Sequence, residues 1–433
     1  MVNSPRSVPG NLASLPHVVV IGGGFAGVAV AKGLADEDVR VTIIDQHNFH
    51  TFQPLLYQVA TAGLEPADVA FPIRTIFGHA KNVRFRHGRV RSVDQSRNVV
   101  TLGDDSRIDY DHLVIATGAV AAFFGVPGAS QFAMPLYTLS DARRLRNRLL
   151  LTLEETEVRA ESDAASPQLT FVVVGGGPTG VETSGALTEL IQIAIKRDGL
   201  RLDPARIRVV LVDMASRLLT GFPPRASDYA KRRLESSGVE VQFGRSVVGI
   251  DERSIHFDDG DRIECAAVIW AAGVSAGDAL PQDLTSSAGP GGRVRVSADL
   301  RLLDSDNVWS VGDAAAVPLN DGEYCAQLAP VAIQSGRHCA AQILHVVKGE
   351  ATAPFQYHDK GIMATIGRNS AVAELPNGVV VKGRLGWLAW LGLHLWYLVG
   401  FRNRLRVLIN WTWRYFDWPS GPRLIVADAE TVE

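Results

Sequence analysis

A chain of 433 residues is long enough for two or three domains with full cores. Its 46% hydrophobic and 21% charged residues are ordinary for a globular protein, and a formal net charge of -3 argues against a nucleic-acid partner. Three cysteines, Cys265, Cys325 and Cys339, have neither C-x-x-C nor C-x4-C spacing, which excludes a disulfide framework and a redox-active dithiol.

Residues 1–16 hold no apolar core of signal-peptide length and read as a frayed, cytosolic N-terminus. The apolar run Val18-Val19-Val20-Ile21 then flows into Gly22-Gly23-Gly24-Phe25-Ala26-Gly27 and an alanine-rich helical stretch ending near Leu34. A second apolar run, Val39 to Ile44, ends in Asp45, 23 residues after Gly22. Strand, glycine turn, helix and distal acid each have a mechanical reason in a dinucleotide site. Gly22 permits the tight turn, Gly24 lets backbone approach a pyrophosphate, Gly27 allows close helix-strand packing, and Asp45 accepts from a ribose. The phosphates would rest on the positive end of the helix.

Residues 46–57 carry aromatic, amide and imidazole side chains with no period of 2 or 3.6, which predicts a loop packed on a cofactor. His47 and His50 have no third and fourth ligand at usable spacing, so no metal is expected. Arg84 to Val93 and Val99 to Leu102, with the turn Gly103-Asp104-Asp105, predict short antiparallel strands. Leu113 to Ala116 is a further strand, running into Thr117-Gly118. Ser140 is the expected N-cap of a helix over Asp141 to Arg159, with a polar linker from Glu161 to Gln168.

The opening pattern then returns. Phe171 to Val174 runs into Gly175-Gly176-Gly177-Pro178-Thr179-Gly180 and a helix from Val181, and the run Val209 to Val212 ends in Asp213. Gly118 lies 96 residues after Gly22, and Gly273 lies 98 after Gly175, so two similar units of about one hundred residues are expected. An excursion over 195–208 stretches the second glycine-to-acid spacing to 38 residues. An acid at the strand tip disfavours a 2'-phosphate, so Asp213 points to NADH over NADPH, although Arg217 lies four residues on.

A Gly-Pro-rich turn at 288–292 precedes strands at Val294 to Val296 and Val308 to Val311, the latter leading into Gly312-Asp313-Ala314-Ala315. Asp313 suits either a helix N-cap or a carboxylate that binds a cofactor's hydroxyls. A helix over Gln327 to Val347 would carry a small-residue face of Ala329, Ala332, Gly336 and Ala340. Six of the eight tryptophans fall between Trp387 and Trp418, and seven basic residues face one acid from Lys382 to Arg423. The apolar run Leu385 to Gly400 is 16 residues long, short of the roughly 20 needed to span a bilayer. Two readings of this tail stand: helices lying in the membrane interface, or a helical hairpin buried in a homodimer interface.

These stretches resemble the type II NADH dehydrogenases, non-pumping NADH:quinone oxidoreductases of the two-dinucleotide-binding flavoprotein class. The resemblance runs over GGGFAG at 22–27, NFHTFQPLLYQVATAG at 48–63, GGGPTGVE at 175–182, the Gly312-Asp313 turn, YHDKGIMATIGR at 357–368 and the Trp/Arg-rich tail. It implies an α/β fold of two Rossmann-like domains, the second inserted in the first, with a membrane-associating helical tail. The implied bounds are 1–120 and 291–355 for FAD, 121–290 for NADH and 356–433 for the tail. By similarity Gly22, Gly24, Gly27, Asp45, Thr117, Gly118, Gly312 and Asp313 would contact FAD, with Pro54, Leu55 and Tyr57 near its ring. Gly175, Gly177, Gly180, Glu182, Asp213 and Gly273 would face NADH.

Glu182 and Lys360 are then candidates for proton handling, or an ordinary first-turn glutamate and an exposed loop lysine. Where the family often has A-Q-x-x-x-Q beside its quinone, this chain has Ala329-Pro330-Val331-Ala332-Ile333-Gln334, leaving Gln334, with Ile333, for the head group. The resemblance implies hydride transfer from NADH to FAD and electron transfer to a membrane quinone, at the cytoplasmic face of the inner membrane. A soluble NAD(P)H-dependent flavin reductase serving a ferredoxin-like or other protein acceptor is the competing enzyme, and a redox-sensing interaction partner is the competing non-enzyme.

Overall fold

The computed structural model describes residues 12–162, 168–281, 283–284, 289–319, 322–416 and 423–426. The expected N-terminal fraying up to residue 11 and most of the polar linker, at 163–167, lie outside them. Two compact units form, one from Met1–Thr51, Phe71–Val120 and Val274–Asp359, the other from Phe52–Ala70, Ala121–Gly273 and Lys360–Glu433.

The first unit is built on a five-stranded sheet in the order Val308–Ser310, His112–Ile115, His17–Ile21, Arg40–Asp45, Val83–His87. Every pairing in it is parallel, with Val18 opposite Val41 and His112. The central strand is buried on both faces, which is why it reads as an uninterrupted β-branched run. Helices Phe25–Leu34 and Ala329–Val347 pack together through small residues. A Cβ on Gly336 would stand 2.5 Å from the Ala26 carbonyl oxygen, and one on Gly33 would stand 2.6 Å from Ala340 Cβ. The small-residue face is thus a helix-helix seam.

The second unit repeats the plan in the order Ala133–Pro135, Ala267–Trp270, Leu169–Val174, Ile207–Asp213, Val239–Phe243, again all parallel. Each unit adds a three-stranded antiparallel meander, Val90–Asp94, Val99–Leu102 and Arg107–Asp109 in one, Val247–Ile250, Ser254–Phe257 and Arg262–Glu264 in the other. The duplication expected from the glycine spacing is present in four strands and the meander of each unit; the outer strand differs, Val308–Ser310 coming late in the chain and Ala133–Pro135 ahead of its repeat.

Three local expectations are corrected. Arg84 to Val93 is not one antiparallel strand: Val83–His87 joins the parallel sheet, and only Val90–Asp94 enters the meander, because the chain breaks at Gly88. Residues 46–57 are not wholly loop: Phe49–Thr51 is a strand, Gln53–Leu55 a 3-10 turn with Pro54 in its first positions, and Leu56–Ala60 a helix. Elements of three to five residues are too short to show a period. The long helix spans Leu139–Ser162 and is capped by Thr138: its Oγ1 accepts the Asp141 N–H at 3.1 Å while Asp141 accepts the Thr138 N–H at 2.9 Å. That reciprocal pair leaves Ser140 inside the helix.

The second unit also contains the tail. Strands Ile362–Thr365, Ala371–Glu374 and Val380–Lys382 form an antiparallel sheet, and helix Gly383–Tyr397 packs on it through Gly386. This helix buries Gly386, Trp390 and His394 at four-residue spacing and exposes Leu385, Leu388 and Trp396 at 70%, 57% and 73%. Helix Phe401–Phe416 likewise buries Asn403 and Val407 while exposing Leu405, Leu408 and Ile409. Both helices turn apolar faces outward and keep His394 and Asn403 inside.

Candidate functional site

Both glycine turns lie where parallel strands end, the crevice that open α/β sheets use for ligands. Gly22 and Gly175 have φ of +106° and +109°, in the region that favours glycine. A Cβ on Gly22 would meet the Ala116 carbonyl oxygen at 2.2 Å, and one on Gly175 would meet that of Ala271 at 2.5 Å. Gly27 and Gly180 each bring a helix against the carbonyl of its own turn, at 1.9 and 1.8 Å from a would-be Cβ. Gly24 and Gly177 are the opposite case, since a Cβ there would meet nothing within 4 Å. Each is the N-cap of its helix, and no side chain caps either one. The open space therefore faces first-turn N–H groups suited to an anion.

The distal acids are duplicated too. Asp45 accepts the Gly23 N–H at 2.6 Å and the His47 N–H at 2.7 Å. Asp213 accepts the Gly176 N–H and, at 2.6 Å, the Ala215 N–H. The longer spacing before Asp213 is absorbed by the extended helix Pro178–Lys196 and the turn at Pro204–Arg206, so the acid reaches the same place. Arg217 is committed elsewhere, donating to the carbonyls of Thr220 and Phe222 and to Ser227 Oγ.

In the first unit, Thr117 Oγ1 is buried without a hydrogen-bond partner beside the Gly22 turn, and Gly118 follows at φ +73°. Gly312 lies against Ala26 at the start of helix Phe25–Leu34, which brings Asp313 to the same edge. Asp313 sits within the 3-10 turn Gly312–Ala314 and is not its N-cap, a position held by Val311. One residue escaped the sequence reading in its role: His50 is buried and donates Nδ1–H to the Gly23 carbonyl at 3.0 Å. Burial lowers its pKa, keeping it neutral, so it buttresses the turn. Among the described residues no cluster suited to a metal ion occurs.

Gln334 is tied to the chain's own backbone. Its amide donates to the His358 carbonyl at 2.9 Å and accepts the His358 N–H at 3.0 Å, with the neighbouring Ile333 half-buried. Pro330 occupies the first turn of helix Ala329–Val347, where a missing N–H costs no intrahelical bond.

In the second unit a cleft of about 610 Å³ is lined by Tyr57, Gln58, Glu182, Thr365, Trp390 and Trp411, among others. Leu55 is fully buried nearby in sequence, and Pro54 half-buried. Glu182 is the fifth residue of its helix and 8% exposed, which rules out the ordinary first-turn glutamate. Its Oε1 accepts the Thr365 N–H at 3.1 Å. Burial pushes the carboxyl up to about 8, the N–H and hydroxyl of Thr365 pulling the other way. Lys360 is exposed on an extended segment and makes no hydrogen bond or ion pair with Glu182. Gly273, at φ +151°, would bring a Cβ to 2.9 Å from the Phe124 ring. His394 stacks on Trp390 at 3.9 Å between ring centroids, and burial holds it near 4.

Two glycine turns, two distal acids and two parallel sheets define an oxidoreductase fold with paired dinucleotide-binding units. The pyridine nucleotide-disulphide oxidoreductase family matches residues 16–336, and the NDH2 C-terminal domain matches 359–417. The type II NADH:quinone oxidoreductase NdhA of Mycobacterium tuberculosis is 40% identical over 97% of this chain and 91% of its own length. The enzyme Ndh of the same organism is 37% identical over 99% and 94%. The structure of NDH2 from Plasmodium falciparum in complex with NADH superposes with a TM-score of 0.85 at 19% identity, over 94% of this chain and 99% of that one. The chain belongs to the type II NADH:quinone oxidoreductases.

Proposed function

We propose that this enzyme holds FAD in its first unit, takes hydride from NADH held in its second, and delivers two electrons to a membrane quinone without pumping protons. FAD, when bound, would supply the two-electron chemistry by accepting hydride and passing the electrons on. Gly22, Gly24 and Gly27 would cradle its pyrophosphate, Asp45 its ribose, and Thr117, Gly118, Gly312 and Asp313 its remaining polar edge. The fit rests on the open space at Gly24 and the unpartnered Thr117 hydroxyl. Gly175, Gly177, Gly180 and Asp213 would hold NADH in the same manner, and the commitment of Arg217 to backbone carbonyls leaves it no hand for a 2'-phosphate.

The observation that carries the quinone reading is the tail. Two helices expose leucine, isoleucine and tryptophan and flank an aromatic cleft that reaches a buried carboxyl, an arrangement suited to a lipid-soluble substrate entering from a bilayer surface. Glu182 would exchange a proton with the reduced quinone. Gln334, its amide spent on His358, would shape the segment before Lys360 instead of gripping the head group. No helix among the described residues is long and apolar enough to cross a membrane, so we read peripheral attachment, at the cytoplasmic face.

The test is steady-state oxidation of NADH by purified, yellow protein with a short-chain quinone; no quinone-dependent turnover would sink the reading. Glutamate at Leu385, Leu388 and Trp396 together should move the protein from membrane to soluble fraction with FAD retained. A protein acceptor served equally well by that variant would favour the soluble reductase.

A further inference from the structure

A line of hydrogen bonds crosses the cleft from the last tail helix to the buried carboxyl. Trp411 Nε1 donates to Gln58 Oε1 at 3.0 Å, and Gln58 Nε2 donates to the Tyr57 hydroxyl at 2.9 Å. That hydroxyl meets Thr365 Oγ1 at 2.9 Å, and Thr365 Oγ1 reaches Glu182 Oε1 at 3.5 Å, the longest link, beside the 3.1 Å bond from the Thr365 N–H.

Its direction is fixed from the Trp411 end, and from both ends once Glu182 ionises. An indole nitrogen only donates, so the Gln58 oxygen must face Trp411 and its NH2 must face Tyr57. Once Glu182 ionises, above about pH 8, its carboxylate only accepts, so in that state Thr365 donates to Glu182 and Tyr57 to Thr365. All four donors therefore point the same way. Burial raises the Tyr57 pKa well above its ordinary value, which keeps its hydroxyl a donor. Donors aligned in series polarise one another, and each strengthens the next.

We propose that Trp411 is a positioning residue for Glu182: seating helix Phe401–Phe416 supplies the first donor of a chain that tunes the proton affinity of the carboxyl, linking the placement of the membrane-facing helix to proton handling. The seat itself is built. Asp68, buried on the segment that also carries Gln58, accepts Arg406 Nε at 3.0 Å and Asn410 Nδ2 at 3.1 Å, while Asn403 donates to its backbone carbonyl at 2.9 Å. Asn403, Arg406 and Asn410 follow helical spacing, so one polar stripe docks the helix and holds Trp411 against Gln58.

The other charged and titratable groups at the cleft are Glu189 on the helix of Glu182, Arg368 after strand Ile362–Thr365, Arg423, and His394 behind Trp390. Glu189 accepts the backbone N–H of Arg368, and Arg423 pairs with Asp198, so the charges of Glu189 and Arg423 are engaged by groups outside the hydrogen-bond chain. Losing the indole donor weakens the hydrogen bond to the anion, so the carboxyl should keep its proton to higher pH. The inference rests on the proposed function for the membrane that the helix faces and for what that proton serves.

The test is an infrared pH titration of the Glu182 carboxyl band in the full-length protein without NADH or quinone, the band assigned by its loss in Glu182→Gln. Trp411→Phe keeps a ring against Trp390 and removes the N–H, and should raise the midpoint by about half a pH unit. Tyr57→Phe cuts the chain downstream and should raise it at least as much, and adding Trp411→Phe to it should change nothing further. Should the first variant unseat the helix, Gln58→Leu breaks the same link from the other side. An unmoved midpoint, or additive shifts in the double variant, overturns the chain. Absent quinone turnover with the shifts intact overturns only the functional reading.

Discussion

Thr365 donates its backbone N–H to Glu182 Oε1 across 3.1 Å, joining residues 183 positions apart and giving a buried carboxyl a fixed place in the cleft. Because burial lifts this group to about 8 from an ordinary 4.5, the folded state binds a proton that the unfolded chain releases. Its contribution to stability is full below the unfolded pKa and is lost as pH rises through about 8. Glu182→Gln should flatten the fall in melting temperature between pH 5 and 8, and should slow quinone reduction more than binding of NADH. Parallel melting curves for the two proteins across that range would count against a buried, protonated Glu182.

The two open glycines make a matched pair. A methyl at Gly24 or Gly177 has room in the protein, so both alanine variants should fold with unchanged far-ultraviolet circular dichroism. Gly24→Ala should purify with little flavin, whereas Gly177→Ala should stay yellow and lose affinity for NADH. Gly22→Ala differs in kind, since its Cβ would meet backbone at 2.2 Å and the fold itself should suffer. Exchanged phenotypes for Gly24→Ala and Gly177→Ala would reverse the assignment of cofactors to units.

Asp213 holds two backbone N–H groups with its two oxygens. Asparagine retains one acceptor and turns an NH2 toward the other donor, so the KM for NADH should rise about tenfold or more, the loss expected for hydrogen bonds to a charged group. Flavin content should be unaffected. An unchanged KM removes Asp213 from the ribose site.

Asp68→Ala leaves the side chains of Arg406 and Asn410 without their carboxylate partner. The variant should lose about 1 to 3 kcal/mol of stability and open helix Phe401–Phe416 to limited proteolysis. Membrane association should persist, because the exposed leucines are untouched. Protease resistance equal to that of the parent would show that the Asp68 carboxylate does not seat the helix, leaving that to the packing of Val407 and the bond from Asn403 to the backbone carbonyl of residue 68.

The glycine turns, the acids at the strand tips and the duplication of the whole unit were legible without coordinates, because each depends on local backbone geometry that only certain residues accept at fixed spacing. The tail was legible as apolar and rich in tryptophan, yet its orientation was not. Only packing on the strands Ile362–Thr365 and Ala371–Glu374 turned Trp390 and His394 inward and left Leu385 and Trp396 outside. The motif around Gln334 was legible, but that its amide pairs with the backbone of His358 at both ends was not. Glu182 stood open between proton handling and a first-turn glutamate until its burial, which raises its proton affinity against the pull of Thr365, separated the two. The chain from Trp411 to Glu182 joins four separate stretches of sequence, and hydrogen bonds between residues so far apart leave no period or spacing to read; the tertiary structure alone decides them.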